Sequence, residues 1–189
     1  MNTMIISAFP ACGKTYLYER QDKLKFTYVG EQKSFIFCDS DSSQYKKENG
    51  WEKKYVDDIE KKIGTLDFLF ISQHENVLQE LNNRNIPFVV VSPDNAYWSS
   101  DIERQLVKQQ WFGRFILRDN SHIKDFANWL ESLKDNYDEW TAIEHITKYS
   151  PASFFLLKET QYISDIIEDL YWKKETYPEL YCYKDKKNA

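Results

Sequence analysis

The chain has 189 residues, with 25 Lys and Arg against 30 Asp and Glu, a formal net charge of -5 and 42% hydrophobic residues. That length suits one domain, 1–189, able to bury a core without disulfides or a structural metal, and the acidic balance argues against a broad grip on duplex nucleic acid while leaving room for a local basic groove. No apolar run approaches the roughly 20 residues of a membrane-spanning helix, and Met1 leads straight into an apolar run with no secretory signal, so the expectation is a cytoplasmic protein with no membrane partner.

Five apolar runs predict strands: Met4 to Ser7, Ser34 to Cys38, Asp67 to Ser72, Pro87 to Ser92 and Ser153 to Lys158. Each is continuous rather than alternating, as in strands buried on both faces. Between the second and third, Trp51, Tyr55, Ile59 and Ile63 recur every four residues and Gly64 supplies a stop. A second helix follows His74 with Val77, Leu78 and Leu81, and ends at the Asn82 to Asn85 break. A third opens on a capping box, Ser100 with Glu103, and sets Ile102, Leu106 and Trp111 on one side. Ile123, Phe126, Leu130 and Leu133 mark a fourth, and Ile163, Ile166, Ile167 and Leu170 a last one, giving a final strand and helix over about 153–173.

Alternating strands and helices predict a parallel sheet covered on both faces. The stretch from about Tyr97 to Ser150 is a helical insertion; Phe115-Ile116-Leu117 within it reads as helix, because Arg114 and Arg118 flank it too closely for a buried strand. Lys184 to Ala189 is a frayed tail. Cys12, Cys38 and Cys182 match neither a disulfide framework nor a metal spacing, and His74, His122 and His145 are as scattered, so magnesium arriving with a nucleotide is the expected metal. An aromatic share of 16% admits core packing with a tyrosine-rich surface, or stacking on bases.

The strongest motif is Ala8-Phe9-Pro10-Ala11-Cys12-Gly13-Lys14-Thr15, between an apolar strand and a helix, which is the context of a Walker A phosphate loop. Gly13 lets the backbone curl its N–H groups toward phosphate oxygens, Lys14 reaches the outer phosphates, and the Thr15 hydroxyl can coordinate magnesium. Pro10, Ala11, Cys12, Gly13, Lys14, Thr15 and Tyr16 are therefore the candidate nucleotide contacts. Only Ala8, in place of glycine, departs from the pattern, and it is tolerated if its φ is negative.

The second motif is Asp39-Ser40-Asp41 at the end of the second strand. Ligands of open parallel sheets bind beyond the carboxyl ends of strands, so one carboxylate can orient or deprotonate an acceptor hydroxyl while the other, with Thr15, serves the metal; Asp39 is the candidate for that. The same residues also suit a turn that caps the next helix.

Together these features resemble the small P-loop kinases of the nucleoside and nucleotide kinase group. The acid-tipped second strand is similar to that of polynucleotide 5'-hydroxyl kinases, the D-x-D to that of shikimate and gluconate kinases, and the whole set also resembles phage-encoded kinases of this group. The resemblance implies a three-layer P-loop NTPase fold with a five-stranded, mostly parallel sheet and a helical lid over about 97–150. It implies ATP and Mg2+ as cofactors, and Asp39 or Asp41 as the acceptor-activating acid. It also implies phosphoryl transfer to a nucleoside, nucleotide or nucleic-acid component; alternatives are a small-metabolite kinase and a non-catalytic nucleotide-binding switch.

Many such kinases carry an acid at the tip of the third strand, where this chain has Ser72-Gln73-His74-Glu75. Glu75 or Asp94 is the substitute, and Ser72 or His74 a substrate contact. In the lid, Arg104, Lys108, Arg114 and Arg118 are candidate cations for the transferred phosphoryl group, with Arg104 and Arg118 singled out; pairing with Asp101 or Glu103 is the other reading of such charges. Trp51 and Tyr55 lie where an acceptor arm sits, to stack on a base or to pack the core.

Overall fold

Each of the five apolar runs becomes a strand of one sheet, because a continuous hydrophobic run can be buried only with protein on both sides. The computed structural model describes residues 2–94, 100–117, 123, 125–149 and 153–182. In chain order the elements are β1 (Met4–Ala8), α1 (Lys14–Arg20), β2 (Phe26–Tyr28), β3 (Glu31–Lys33), β4 (Phe37–Asp39), a 3₁₀ turn (Ser42–Gln44), α2 (Trp51–Lys62), β5 (Phe68–Ile71), α3 (Glu75–Asn83) and β6 (Val89–Pro93). There follow α4 (Asp101–Leu117), α5 (Phe126–Trp140), α6 (Ile143–Tyr149), β7 (Phe154–Leu157), a second 3₁₀ turn (Ile163–Asp165), α7 (Ile167–Thr176) and α8 (Pro178–Tyr181).

The sheet runs β4-β5-β1-β6-β7 and every neighbouring pair is parallel. Its three inner strands, β5, β1 and β6, are buried throughout. Alternate residues divide between two cores. Met4, Ile6, Phe68, Phe70, Val89 and Val91 pack with Leu17 of α1, Trp111 and Phe115 of α4, Tyr137 of α5 and Leu170 of α7. On the other face Ile5, Leu69, Ile71 and Val90 meet Tyr55 and Ile59 of α2, Leu78 of α3 and Ile146 of α6. The result is a three-layer α/β arrangement.

Most of the aromatic surplus fills these layers. Phe37 stacks on Phe68 and Phe70, both at 5.6 Å, and Phe9 meets Tyr137 edge-on at 5.7 Å. The described part of the insertion between β6 and β7 is mainly helical and packs into both cores through Trp111, Tyr137 and Ile146. Phe115 to Leu117 close α4 as helix.

The expected face of α4 is corrected. Ile102 and Leu106 are exposed, at 73% and 53%, and the buried stripe is Val107, Trp111 and Phe115. The expected set shares Trp111 with the observed one but is spaced four and then five residues, whereas Val107, Trp111 and Phe115 keep an even spacing of four and meet Phe9 through Trp111 and Phe115. The β2–β3 hairpin was not foreseen either. Its turn places Val29 (φ 50) and Gly30 (φ 79) in the left-handed region, the geometry of a tight hairpin turn, but with valine where asparagine or glycine is usual. Among the described residues no helix is long and apolar enough to cross a membrane.

Candidate functional site

The connection leaving β1 runs to the α1 face, while that leaving its neighbour β5 runs to the α3 face. Divergence of this kind opens a crevice beyond the carboxyl ends of the strands. The β1–α1 loop sits at that point. Phe9 N–H donates to Val91 O at 2.9 Å, Ala11 and Gly13 take positive φ of 63 and 97, and Leu17 N–H closes onto Gly13 O at 3.2 Å. Outside glycine, positive φ among the described residues falls at Ala11, Val29 and Asn85, so Ala8 keeps an ordinary backbone, as the motif requires.

Lys14 folds back across its own loop, its Nζ donating to Ala8 O at 2.8 Å and Phe9 O at 3.4 Å. Thr15 Oγ1 donates to Asp39 Oδ2 at 2.8 Å. The second residue of α1 thus meets the tip of β4, two strands away in the sheet. Cys12 is buried beneath the loop, and burial pushes its thiol up to about 12, so it stays protonated packing. Pro10 lies half-buried at the loop's crest. Tyr16 is exposed, with the Arg20 guanidinium 4.8 Å from its ring.

Asp41 is engaged locally. Its carboxylate accepts from Ser43 N–H at 2.8 Å and from the Ser43 hydroxyl, capping the 3₁₀ turn. The two acids therefore part company: Asp39 faces the loop, and Asp41 shapes the turn behind it. Just past Ser40, the buried Tyr55 hydroxyl donates to Ser40 O at 2.6 Å and accepts from Ser72 N–H at 3.3 Å, tying together the ends of β4 and β5.

Trp51 is largely buried, at 8% exposure, with Tyr55 5.8 Å away, and both belong to the α2 core. Its outer surface is not idle: Lys47 Nζ lies 3.4 Å from the ring centroid and His74 meets it edge-on at 5.4 Å. His74 caps the start of α3 and is open to solvent on one side. Desolvation against its neighbours, with the Lys47 charge close by, pushes its pKa down to about 4, so the ring is neutral near pH 7. Ser72, the other candidate substrate contact, has a buried hydroxyl with no partner among the described residues.

Of the two substitute acids, Glu75 is already occupied. Glu75 pairs with Lys148 at 2.8 Å and accepts from the Tyr149 hydroxyl, which together hold its carboxyl below the usual range. Asp94 follows β6, where its N–H donates to Leu157 O at 2.8 Å. Among the insertion cations, Arg104 lies 3.7 Å from Asp101 on its own helix and Lys108 pairs with Asp138 of α5 at 2.7 Å. Arg118 lies outside the described residues, as do His122 and the tail from Lys184.

Arg114 instead reaches the turn that follows β7. It donates to Gln161 O at 2.8 Å and to Glu159 O, and its guanidinium stacks 4.2 Å from Trp111 and 4.1 Å from Tyr162. Tyr162 rests against Gly13, and Ile163 N–H donates to Cys12 O at 2.9 Å, so the turn after β7 braces the loop. Sequence reasoning did not find Tyr162; it lies about 150 residues beyond the loop it touches, and no local pattern announces such a contact.

Among the described residues no cluster of His, Cys, Asp and Glu could by itself hold a metal ion. The Thr15–Asp39 pair offers oxygens only, which fits magnesium, an ion usually bound by one or two protein groups together with substrate phosphates. No protein-family model matches the chain, and no curated protein is significantly similar to it.

Proposed function

We propose that this chain is a P-loop phosphotransferase, a kinase that moves the γ-phosphoryl group of ATP to a hydroxyl or phosphate of a nucleoside, nucleotide or nucleic-acid component. The observation that carries the reading is the 2.8 Å contact between Thr15 and Asp39, made beside a loop whose glycine and lysine stand in phosphate-cradle order. A turn with no ligand to serve has no need of an ammonium folded over the end of β1 and, from the next residue, a hydroxyl bonded to the carboxylate at the tip of β4. Such an arrangement supports polyphosphate binding with a divalent ion.

In this reading the loop N–H groups and Lys14 hold the β- and γ-phosphates, which requires Lys14 to leave the Ala8 and Phe9 carbonyls. Thr15 and Asp39 hold Mg2+, which supplies positive charge against the phosphates. Asp41, exposed and released from Ser43, would orient the incoming hydroxyl and take its proton. Arg114 fixes the turn that braces the loop and is a positioning group rather than a lid finger.

The test is ATP turnover against nucleosides, nucleoside monophosphates, 5'-hydroxyl oligodeoxynucleotides, shikimate and gluconate, with Lys14→Ala as the control. Removing the ammonium should cost about a hundredfold or more in rate. Undiminished turnover in Lys14→Ala would defeat the cradle. ATP binding with background turnover on every acceptor would instead make the protein a nucleotide-responsive switch.

A further inference from the structure

Buried polar side-chain atoms nearly always find a partner, and those that do not call for an explanation. Among the described residues six lack one: Ser72 Oγ, Gln73 Nε2 and Oε1, Ser92 Oγ, Trp111 Nε1 and Tyr137 Oη. Four of the six lie toward the carboxyl ends of β5 and β6, the edge of the sheet where a ligand binds. Poor packing does not explain them, because the backbone at the same place is satisfied: Ser72 N–H is taken by Tyr55 Oη and Ser72 O lies 3.5 Å from Ser7 Oγ. Only the side chains are left over.

Gln73 is the most telling of these. Both ends of its amide are shut from water and unpaired, so it offers a donor and an acceptor side by side in one plane. Beside it, His74 leans on the edge of Trp51, and Lys47 lies across the Trp51 face. The described contacts of the Lys47 ammonium are that ring and Ser42 O at 2.7 Å, and neither is a carboxylate. Burial pushes Lys47 down to about 8 against the opposing pull of the Asp41 charge, so the ammonium is still mostly charged near pH 7 and able to meet an anion.

We propose that Gln73 and Lys47 recognise the acceptor: the Gln73 amide pairs with the edge of a base through one donor and one acceptor, and Lys47 holds the phosphate that base carries. The ligand is therefore a nucleotide unit, free or at the end of a strand. Paired recognition by an amide is how glutamine reads an adjacent donor and acceptor on a base, whereas a polyol acid presents hydroxyls and a carboxylate that call for cations. A site that buries an amide for this purpose discriminates strongly, since any ligand lacking the matching groups leaves both ends unpaired. The inference rests on the kinase reading, and it is tested by binding rather than turnover so that the two can fail separately.

The experiment is calorimetric titration of the full chain with the common nucleoside monophosphates, their nucleosides, a short 5'-hydroxyl oligodeoxynucleotide, shikimate and gluconate, and separately with Mg-ATP. Gln73→Met should weaken the base-bearing ligands about tenfold or more, while leaving ATP affinity intact and the melting temperature equal or higher, because an unpaired amide has been removed. Lys47→Met should lower a nucleotide to the affinity of its nucleoside. Tighter binding of the oligonucleotide identifies a strand end as the source, and tighter binding of the mononucleotide a free metabolite. Unchanged affinities in Gln73→Met, binding of the hydroxy acids alone, or no acceptor binding at all would overturn the proposal. Absence of ATP binding to the unmodified chain would defeat the phosphate-loop reading instead, and the acceptor titrations would still decide this one.

Discussion

Gly13 holds the β1–α1 loop in a conformation that an L side chain enters only under strain, and Gly13→Ala measures how much the loop depends on it. At φ 97 the backbone is left-handed, which for alanine costs roughly 1–2 kcal/mol. The added Cβ would also stand 3.3 Å from Tyr162 Cδ1 and 3.4 Å from its Cβ. The tyrosine cannot simply swing away, since Arg114 stacks 4.1 Å from its ring and Ile163 N–H is fixed to Cys12 O at 2.9 Å. A total of about 2 kcal/mol follows, roughly a 30-fold shift in the unfolding equilibrium and a sizeable part of a domain's usual stability. For a chain of this size the melting temperature should fall by about 4–8 °C. Urea unfolding should show a lower midpoint with an unchanged slope, the mark of lost stability rather than altered compactness. ATP affinity should fall with it, because the displaced Tyr162 loosens the cradle. In a double-mutant cycle with Tyr162→Ala, the side-chain part should disappear and the backbone part remain. Ala11→Gly is the control: relief at φ 63 is offset by a more flexible unfolded chain, so little net change is expected. A Gly13→Ala chain that melts with the parent and binds ATP as tightly would refute the reasoning.

Other expectations follow from the same geometry. Asp39→Asn should raise the magnesium concentration needed for half-maximal turnover. Asp41→Asn should leave magnesium dependence alone, slow acceptor phosphorylation and cost up to about 1 kcal/mol through the weakened cap; identical behaviour of the two variants in a magnesium titration would contradict the division of roles. Lys174 is buried, at 2% exposure, and paired with Asp67 at 3.0 Å. Asp67→Ala should cost up to about 3 kcal/mol, because it leaves the buried cation to the more exposed Glu175 at 3.2 Å, while Lys174→Met should cost far less, as chemical denaturation will show. The His74 ring stays neutral in the folded protein down to about pH 4, whereas the unfolded chain takes up its proton near pH 6.5. Stability conferred by His74 is thus present above pH 6.5 and lost as pH falls toward 4. His74→Gln should flatten the fall of the urea midpoint across that window, and an unchanged profile would mean that the ring is not desolvated.

The strands were legible because burial on both faces leaves a hydrophobic run with no polar alternation, and Ile5, Leu69 and Val90 fit no other arrangement. Helix α2 was legible because Trp51, Tyr55 and Ile59 keep one face and Gly64, at φ 86, takes the left-handed conformation that ends it. Position Val29 hid the hairpin, since a β-branched residue at φ 50 is the opposite of a turn signal. On α4 the evenly spaced set Val107, Trp111 and Phe115 is the buried one, and its partner Phe9 lies far away in the chain. Of the candidate site, Lys14, Thr15 and Asp39 were legible because strand ends and loop chemistry are local properties. The capping task of Asp41 is local too, and was visible as the other reading of the same residues. The grip of Lys148 and Tyr149 on Glu75, and of Arg114 and Tyr162 on the loop, arises from partners far away in the chain, so composition and spacing carry no trace of it.

The contact of Tyr162 and Ile163 with the β1–α1 loop bears on the order in which the molecule matures. A growing polypeptide that has delivered β1 to β6 possesses four of the five sheet strands, yet the segment that steadies Gly13 is still to come. The loop precedes four of the five sheet strands in the chain, yet the segment that braces it follows the last of them. A chain interrupted before β7 can collapse into most of a sheet while its first turn stays slack.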